Sequence, residues 1–362
     1  MLAGKKLVTL GLLGLLALPA LTSQRVFADG LFQENIGGSI EGRDVQLFVR
    51  VNPPILTTQT EQDRFLQLRL FEGNNETIKF TTFGLEAFKV TSQGEQRLML
   101  YDAFQTESGL LTLKIQPAEG ETEVFGTRED FTSAWKADPG GNINIKGPLL
   151  LDGGLYHFRI EVIGVDHPRG LLVEPLSFDT YLSVGDVVTQ DVQHNGQTYQ
   201  TTIISYYDKV QDFAFDPDSL TYSWSMPFNY DLERIQSATS IFVHEEVRVP
   251  KSFAGVGDTT AFDAAINGNP VPSRMLSVDP FSSQEDLTLH FLINRNDIVS
   301  IVQSAPENAN IMEFSFSPAS NGGVHTSGEI TTDTGGMLIL LSWTPSQLSA
   351  ESETTLGMEF HD

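Results

Sequence analysis

The stretch Val45-Gln46-Leu47-Phe48-Val49-Arg50-Val51 decides the fold class, because aliphatic residues return in it at every second position. Successive side chains of a β-strand point to opposite faces, so these aliphatic residues would all lie on one face. The same alternation recurs over residues 66–70, 111–115 and 155–163. It predicts half-buried β-strands, each with one face against a core.

Turn sequences separate these strand patterns. Glu72-Gly73-Asn74-Asn75 and Asp138-Pro139-Gly140-Gly141 are rich in residues that favour turns. Asp152-Gly153-Gly154 lies between the apolar run 148–151 and the strand pattern at 155–163, and is predicted to be a hairpin connection. Many short strands with Gly and Pro between them indicate β-sandwiches or barrels. We therefore predict an all-β protein.

The length of 362 residues suits two domains better than one. The best boundary is the Pro- and Gly-containing stretch 167–175, which follows the strand pattern at 155–163. We predict two tandem β-sandwich domains, immunoglobulin-like or related, over residues 29–170 and 176–362. In the second domain, residues 252–273 are rich in Gly, Pro, Asn and Ala and are predicted to form a long excursion or loop.

The first 28 residues have the layout of a cleaved secretory signal. Lys5 and Lys6 precede an almost unbroken apolar run from Leu7 to Leu18, and Val26-Phe27-Ala28 offers small residues at a cleavage site. An uncleaved N-terminal anchor is the alternative, and no second membrane segment is predicted. The signal predicts a secreted or cell-envelope protein, in an extracellular or periplasm-like location.

The composition restricts the partners and the chemistry. Asp and Glu number 47 against 22 Lys and Arg, which gives a formal net charge of −25 at pH 7. Such a surface repels nucleic acid and anionic lipid and attracts cations. There is no cysteine, so disulfides, thiol nucleophiles and Cys-ligated metals are excluded.

Two predicted strands carry a histidine and a carboxylate on one face. His157 and Glu161 share a face of the strand at 155–163, and His244 and Glu246 share a face of the strand at 241–249. Such sets are candidate ligands for Cu²⁺ or Zn²⁺. The alternative, which we favour, is two solvated faces whose charges pair across the sheet rather than one shared metal site. His290 lies on the polar side of a third predicted strand.

Carboxylates also cluster in a predicted turn. Asp208, Asp212, Asp216 and Asp218 span this turn and could offer hard oxygen ligands to Ca²⁺, although their spacing matches no EF-hand loop. The stretch from Asp216 to Trp224 is similar to the DPDGDxLTYxW sequence of cadherin-like and PKD-like extracellular domains, but lacks its Gly-Asp pair. That resemblance implies a β-sandwich. A plain turn is the alternative to an ion site.

Large side chains follow this turn at every second position. Tyr222, Trp224, Met226, Phe228 and Tyr230 would form one face of a regular strand. We predict that this face is core, because aromatic side chains bury large areas and favour strands. A sugar-stacking surface is the alternative. Pro227 is expected to end the strand, which places Phe228 and Tyr230 on a loop.

A wider resemblance covers two stretches. Residues 147–166, GPLLLDGGLYHFRIEVIGVD, and residues 242–253, FVHEEVRVPKSF, resemble secreted proteins of ammonia-oxidising archaea. The resemblance implies a cell-envelope location and transfers no functional residues.

The sequence favours a binding or structural role without catalysis. It has no nucleophile elbow, no H-E-x-x-H motif and no phosphate-binding loop, and no catalytic residue is assigned. We predict an exported, non-enzymatic envelope protein whose partners are other envelope proteins or surface glycans. A metal-binding envelope protein and a secreted glycan hydrolase are the alternatives.

Overall fold

The structure is a computed structural model that describes residues 27–29, 32–57, 62–91, 93–259, 261–319, 330–333, 338–344 and 355–361. Most of these residues lie in β-strands, which confirms the predicted all-β class. Residues 1–26 of the predicted signal lie outside the described residues, and its last two residues, Phe27 and Ala28, belong to β1.

The strands and helices are numbered here in chain order. The strands are β1 (Phe27–Asp29), β2 (Gln33–Ile40), β3 (Arg43–Asn52), β4 (Ile55–Leu56), β5 (Arg64–Glu72), β6 (Thr81–Thr91), β7 (Gly94–Thr106), β8 (Leu110–Pro117), β9 (Glu123–Phe125), β10 (Trp135–Lys136), β11 (Asn142–Gly147), β12 (Gly154–Gly164), β13 (Leu176–His194), β14 (Gln197–Ser205), β15 (Gln211–Asp216), β16 (Thr221–Pro227), β17 (Ala238–Pro250), β18 (Phe262–Ile266), β19 (Asn269–Pro270), β20 (Leu276–Asp279), β21 (Asp286–Asn294), β22 (Ile311–Pro318), β23 (Ile330–Asp333), β24 (Leu338–Thr344) and β25 (Thr355–His361). The helices are α1 (Leu232–Ser237) and α2 (Arg295–Ser304), and a 3₁₀ turn covers Ser273–Met275.

Four sheets are formed by the strands of the described residues. The largest has eleven strands in the order β10-β7-β6-β12-β13-β14-β17-β21-β20, with β1 beside β17 and β4 beside β13. A second sheet runs β2-β3-β5-β8-β11-β9, and a third runs β15-β16-β22-β18-β19. Strands β23, β24 and β25 form a three-stranded sheet.

The long strand β13 contributes to two hydrophobic cores. Its first half pairs with β12, from Val162 opposite Leu176 to Gly154 opposite Val184, and its second half pairs with β14. Leu182 and Val184 belong to the first core, whereas Val192 belongs to the second. The stretch 167–175 therefore connects two strands that pair with each other. The division into domains there stays a prediction.

The strand predicted from the alternation at 45–51 is confirmed, with its aliphatic face in the core. Val45, Leu47, Val49 and Val51 are all at most 2% exposed, and Leu47 pairs with Leu70 on β5. Each such side chain contributes about 1.5–3 kcal/mol when it is removed from water. The residues whose alternation predicts a strand therefore form part of the first core.

Two predictions about local structure are wrong. Asp152-Gly153-Gly154 is not a hairpin connection, because the apolar run 148–151 forms a turn and β12 pairs with β6 and β13. The segment 252–273 is not one long loop, because it contains β18 and β19, and β18 pairs with β22. Both errors concern pairing between distant segments, which local composition does not encode.

Helix α2 follows β21 without an intervening loop. The side chain of Asn294 accepts hydrogen bonds from the backbone N–H groups of Asn296 and Asp297, which caps the first turn. Ala305 is extended, as expected for a residue before a proline, and the helix ends there. Within the described part of the chain, neither helix has the length and apolar character needed to cross a bilayer.

Candidate metal centre

Two paired strands bring a histidine, a glutamate and a second histidine onto one sheet face. Glu246 on β17 lies directly opposite His290 on β21, and His244 precedes Glu246 by two residues. Because side chains alternate along a strand, His244 and Glu246 share a face, while Val243, Glu245 and Val247 point into the second core. The inward residues fix the register of β17 and so fix the outward ones.

The three side chains converge closely enough to share one ion. The Nε2 atom of His244 lies 3.1 Å from the Nδ1 atom of His290. The Oε2 atom of Glu246 lies 3.8 Å from the same Nδ1 atom, and one ligand atom from each residue lies within 4.8 Å of the others. Ligands bound to Zn²⁺ at about 2.0–2.2 Å are held roughly 3 Å apart. Small side-chain adjustments therefore suffice.

Neighbouring side chains hold the candidate ligands in place. The ring of Tyr206 stacks on His244 with centroids 4.4 Å apart and planes 5° from parallel. Its hydroxyl donates to Oε2 of Glu246 at 3.2 Å. Arg248 Nε donates to the other oxygen, Oε1, at 2.6 Å. Such outer contacts orient metal ligands in known metal sites.

The protonation state of His244 suits metal binding. Burial, and then the neighbouring His290, lower the pKa of His244 to about 4, although Glu246 acts in the opposite direction. Its imidazole is therefore neutral at neutral pH. The neutral ring is the form that binds a metal.

The structure separates His157 and Glu161 from this centre. His157 is 3% exposed and Glu246 is 6% exposed, so the predicted solvated faces are wrong for both residues. Its Nδ1 lies 2.6 Å from Oε1 of Glu95, its Nε2 lies 3.2 Å from Oδ1 of Asp179, and Tyr181 stacks on the ring. Its neighbours cover it and occupy both of its nitrogens. Glu161 instead accepts a hydrogen bond from Tyr101.

The acidic turn is held by hydrogen bonds within itself. Asp216 accepts from the Ser219 hydroxyl at 2.6 Å and from the Asp218 backbone N–H at 3.0 Å, and these bonds lower its pKa. Asp212 accepts from the Ser225 hydroxyl. Among the described residues these aspartates form no cluster of three ligand atoms within reach of one ion.

The aromatic row after this turn lies in the core, as predicted. Tyr222, Trp224 and Met226 are at most 2% exposed, and β16 ends at Pro227. These side chains pack in the second core, where Trp224 meets Phe291 of β21, and they are inaccessible to a sugar. Phe228 follows the strand and is also buried.

Sequence reasoning missed the partnership of His290 with the other two residues. The alternation around His290 predicts that it lies on a polar face. It does not predict that β21 pairs with β17, because a long segment separates the two strands in the sequence. Over the described parts of the chain, His244, Glu246 and His290 form the one group of three His or carboxylate residues that meets the geometry of a metal site. No protein-family model, no curated protein and no solved structure matches this chain.

Proposed function

We propose that this chain is an exported cell-envelope protein that binds a divalent transition-metal ion through His244, Glu246 and His290. The observation that carries the proposal is the approach of two imidazole nitrogens and a carboxylate oxygen to within 4.8 Å of one another. Two imidazoles and one carboxylate favour Zn²⁺ or Cu²⁺ over Ca²⁺, which prefers oxygen ligands.

The charges around the site support a cation. The formal net charge of −25 draws cations towards the protein. Arg248 lies beside the site, and a bound cation is repelled by a second positive charge. Its guanidinium is paired with Oε1 of Glu246, however, which compensates its charge, and Oε2 can bind the ion while it accepts the Tyr206 hydroxyl.

The proposal is for binding rather than catalysis. Export is inferred from the predicted signal before Asp29, and N-terminal sequencing of the exported protein tests it by finding Asp29 as the first residue. A chain isolated from the membrane fraction with Lys5 and Lys6 intact would instead establish an anchor.

Titration calorimetry of the chelator-treated protein with Zn²⁺ and Cu²⁺ tests the metal site. We expect one ion per chain, and His290→Ala should weaken its affinity by more than about 100-fold, above the effect typical of an outer contact. His157→Ala is the matched control, because His157 lies outside the cluster, and it should leave the affinity unchanged. Unaltered binding by His290→Ala would refute the assignment.

A further inference from the structure

A tyrosine lies flat across the outer face of the largest sheet. Tyr101 on β7 is 50% exposed, and its hydroxyl donates to Oε2 of Glu161 on β12 at 2.9 Å. Strand β6 runs between β7 and β12, so the ring crosses β6 to reach this acceptor. It crosses at Gly84, which pairs with Glu161.

Gly84 makes this ring position available. A Cβ atom at residue 84 would lie 2.3 Å from the hydroxyl oxygen of Tyr101 and 2.7 Å from its Cζ atom. Those distances are far below van der Waals contact. Any side chain at residue 84 would therefore lift the ring off the sheet.

A β-bulge directs Tyr101 to this place. Leu85 pairs with Asp102 and Ala87 pairs with Met99, so β7 has one extra residue between these pairs. Leu100 and Tyr101 lie in this irregular stretch, and Leu100 is 69% exposed. Bulges commonly re-aim side chains next to functional sites.

Charged groups that can donate and accept hydrogen bonds lie on β6, β7 and β12, the strands that the ring spans. On β6, Glu86 lies opposite Arg159 of β12, with Oε2 3.9 Å from its Nη1. Arg97 Nη2 lies 3.5 Å from the other oxygen of Glu86. Both arginine side chains are about half exposed. Their ion pairs hold these polar groups in fixed positions on an open face.

We propose that the face formed by Tyr101, Glu86, Arg97 and Arg159 binds an uncharged glycan, with Tyr101 as the stacking platform. The exposed ring offers a flat apolar surface to the C–H face of a sugar, and the flanking carboxylate and guanidinium groups can bond its hydroxyls. The net charge of −25 disfavours acidic polysaccharides. The proposal is independent of the metal site, which lies on β17 and β21.

Calorimetry and ¹H–¹⁵N NMR titration with cellohexaose and chitohexaose test the proposal. We expect at least one to bind and to shift the amide signals of β6, β7 and β12. Tyr101→Ala should weaken that binding about tenfold, whereas Tyr101→Phe, which keeps the ring, should lose less. Gly84→Ala should also weaken it, because the added methyl group displaces the ring.

Phe281→Ala is the control, since Phe281 is 81% exposed but lies elsewhere on the surface. It should bind as the unaltered protein does. Circular dichroism establishes that each variant is folded. Binding of neither oligosaccharide, equal weakening by Phe281→Ala, or tighter binding of polygalacturonate would each overturn the proposal.

Discussion

The Nδ1 atom of His290 and the Nε2 atom of His244 lie 3.1 Å apart across two paired strands. At that distance one nitrogen can donate a proton to the other, in a direction set by the tautomers of the two rings. At the proposed metal site, an ion bound to both nitrogens would take the place of that shared proton. The ring protons would then lie on Nδ1 of His244 and Nε2 of His290.

Tyr206 should tune the metal affinity through its two contacts. Tyr206→Phe keeps the ring that stacks on His244 but removes the hydrogen bond to Glu246, and we expect affinity to fall about tenfold. Tyr206→Ala removes both contacts and should lower the affinity further. Zn²⁺ titration of the two variants measures the difference. Equal affinity of both variants and the unaltered protein would show that Tyr206 does not position the ligands.

Trp224 should be essential to the second core. Its ring stacks on Phe314 at 5.3 Å and meets Phe291 edge-on at 5.5 Å. Trp224→Ala should lower the free energy of unfolding by about 3–5 kcal/mol, the usual cost of truncating a buried tryptophan. Urea denaturation measures this. Phe281→Ala, at an exposed position, should change it by less than about 0.5 kcal/mol. A similar small change for Trp224→Ala would contradict the described packing.

The carboxyl group of Asp208 should make stability depend on pH. Burial raises the pKa of Asp208 to about 7, whereas the pKa of an aspartate in an unfolded chain is about 3.9. The folded state thus binds this proton more tightly. The resulting stabilisation is fully present below the unfolded pKa and is lost as pH rises towards about 7.

The comparison with Asp208→Asn isolates this contribution. Denaturant midpoints of both proteins at pH about 4.5, about 6 and about 8 should show the unaltered protein losing stability relative to the variant as pH rises. A difference that stays constant over this range would show that Asp208 titrates normally.

The sequence predicts the strands well because burial imposes a period of two on them. Val45, Leu47 and Trp224 each lie on the face that alternation assigns to the core. The alternation is visible within each strand's own sequence. These residues can therefore be assigned to the core without knowing which strands pair. The same reasoning placed His244 and Glu246 together on the other face of β17.

The sequence does not reveal which strands pair. His290 joins His244 only because β21 lies beside β17 in one particular register, and that register depends on the whole core. His157 shows the opposite case, since its two carboxylate partners come from other strands, Asp179 from the neighbouring β13 and Glu95 from β7 beyond β6. Tyr101 likewise reaches Glu161 because of a β-bulge in β7, and the local sequence does not predict that bulge.

Crystallography of the Zn²⁺-loaded protein, with data collected at the zinc absorption edge, tests the metal assignment most directly. The account predicts one anomalous peak per chain, about 2 Å from Nε2 of His244, Nδ1 of His290 and Oε2 of Glu246. A peak at His157 or among the aspartates of the 212–218 turn, with none at His290, would contradict it.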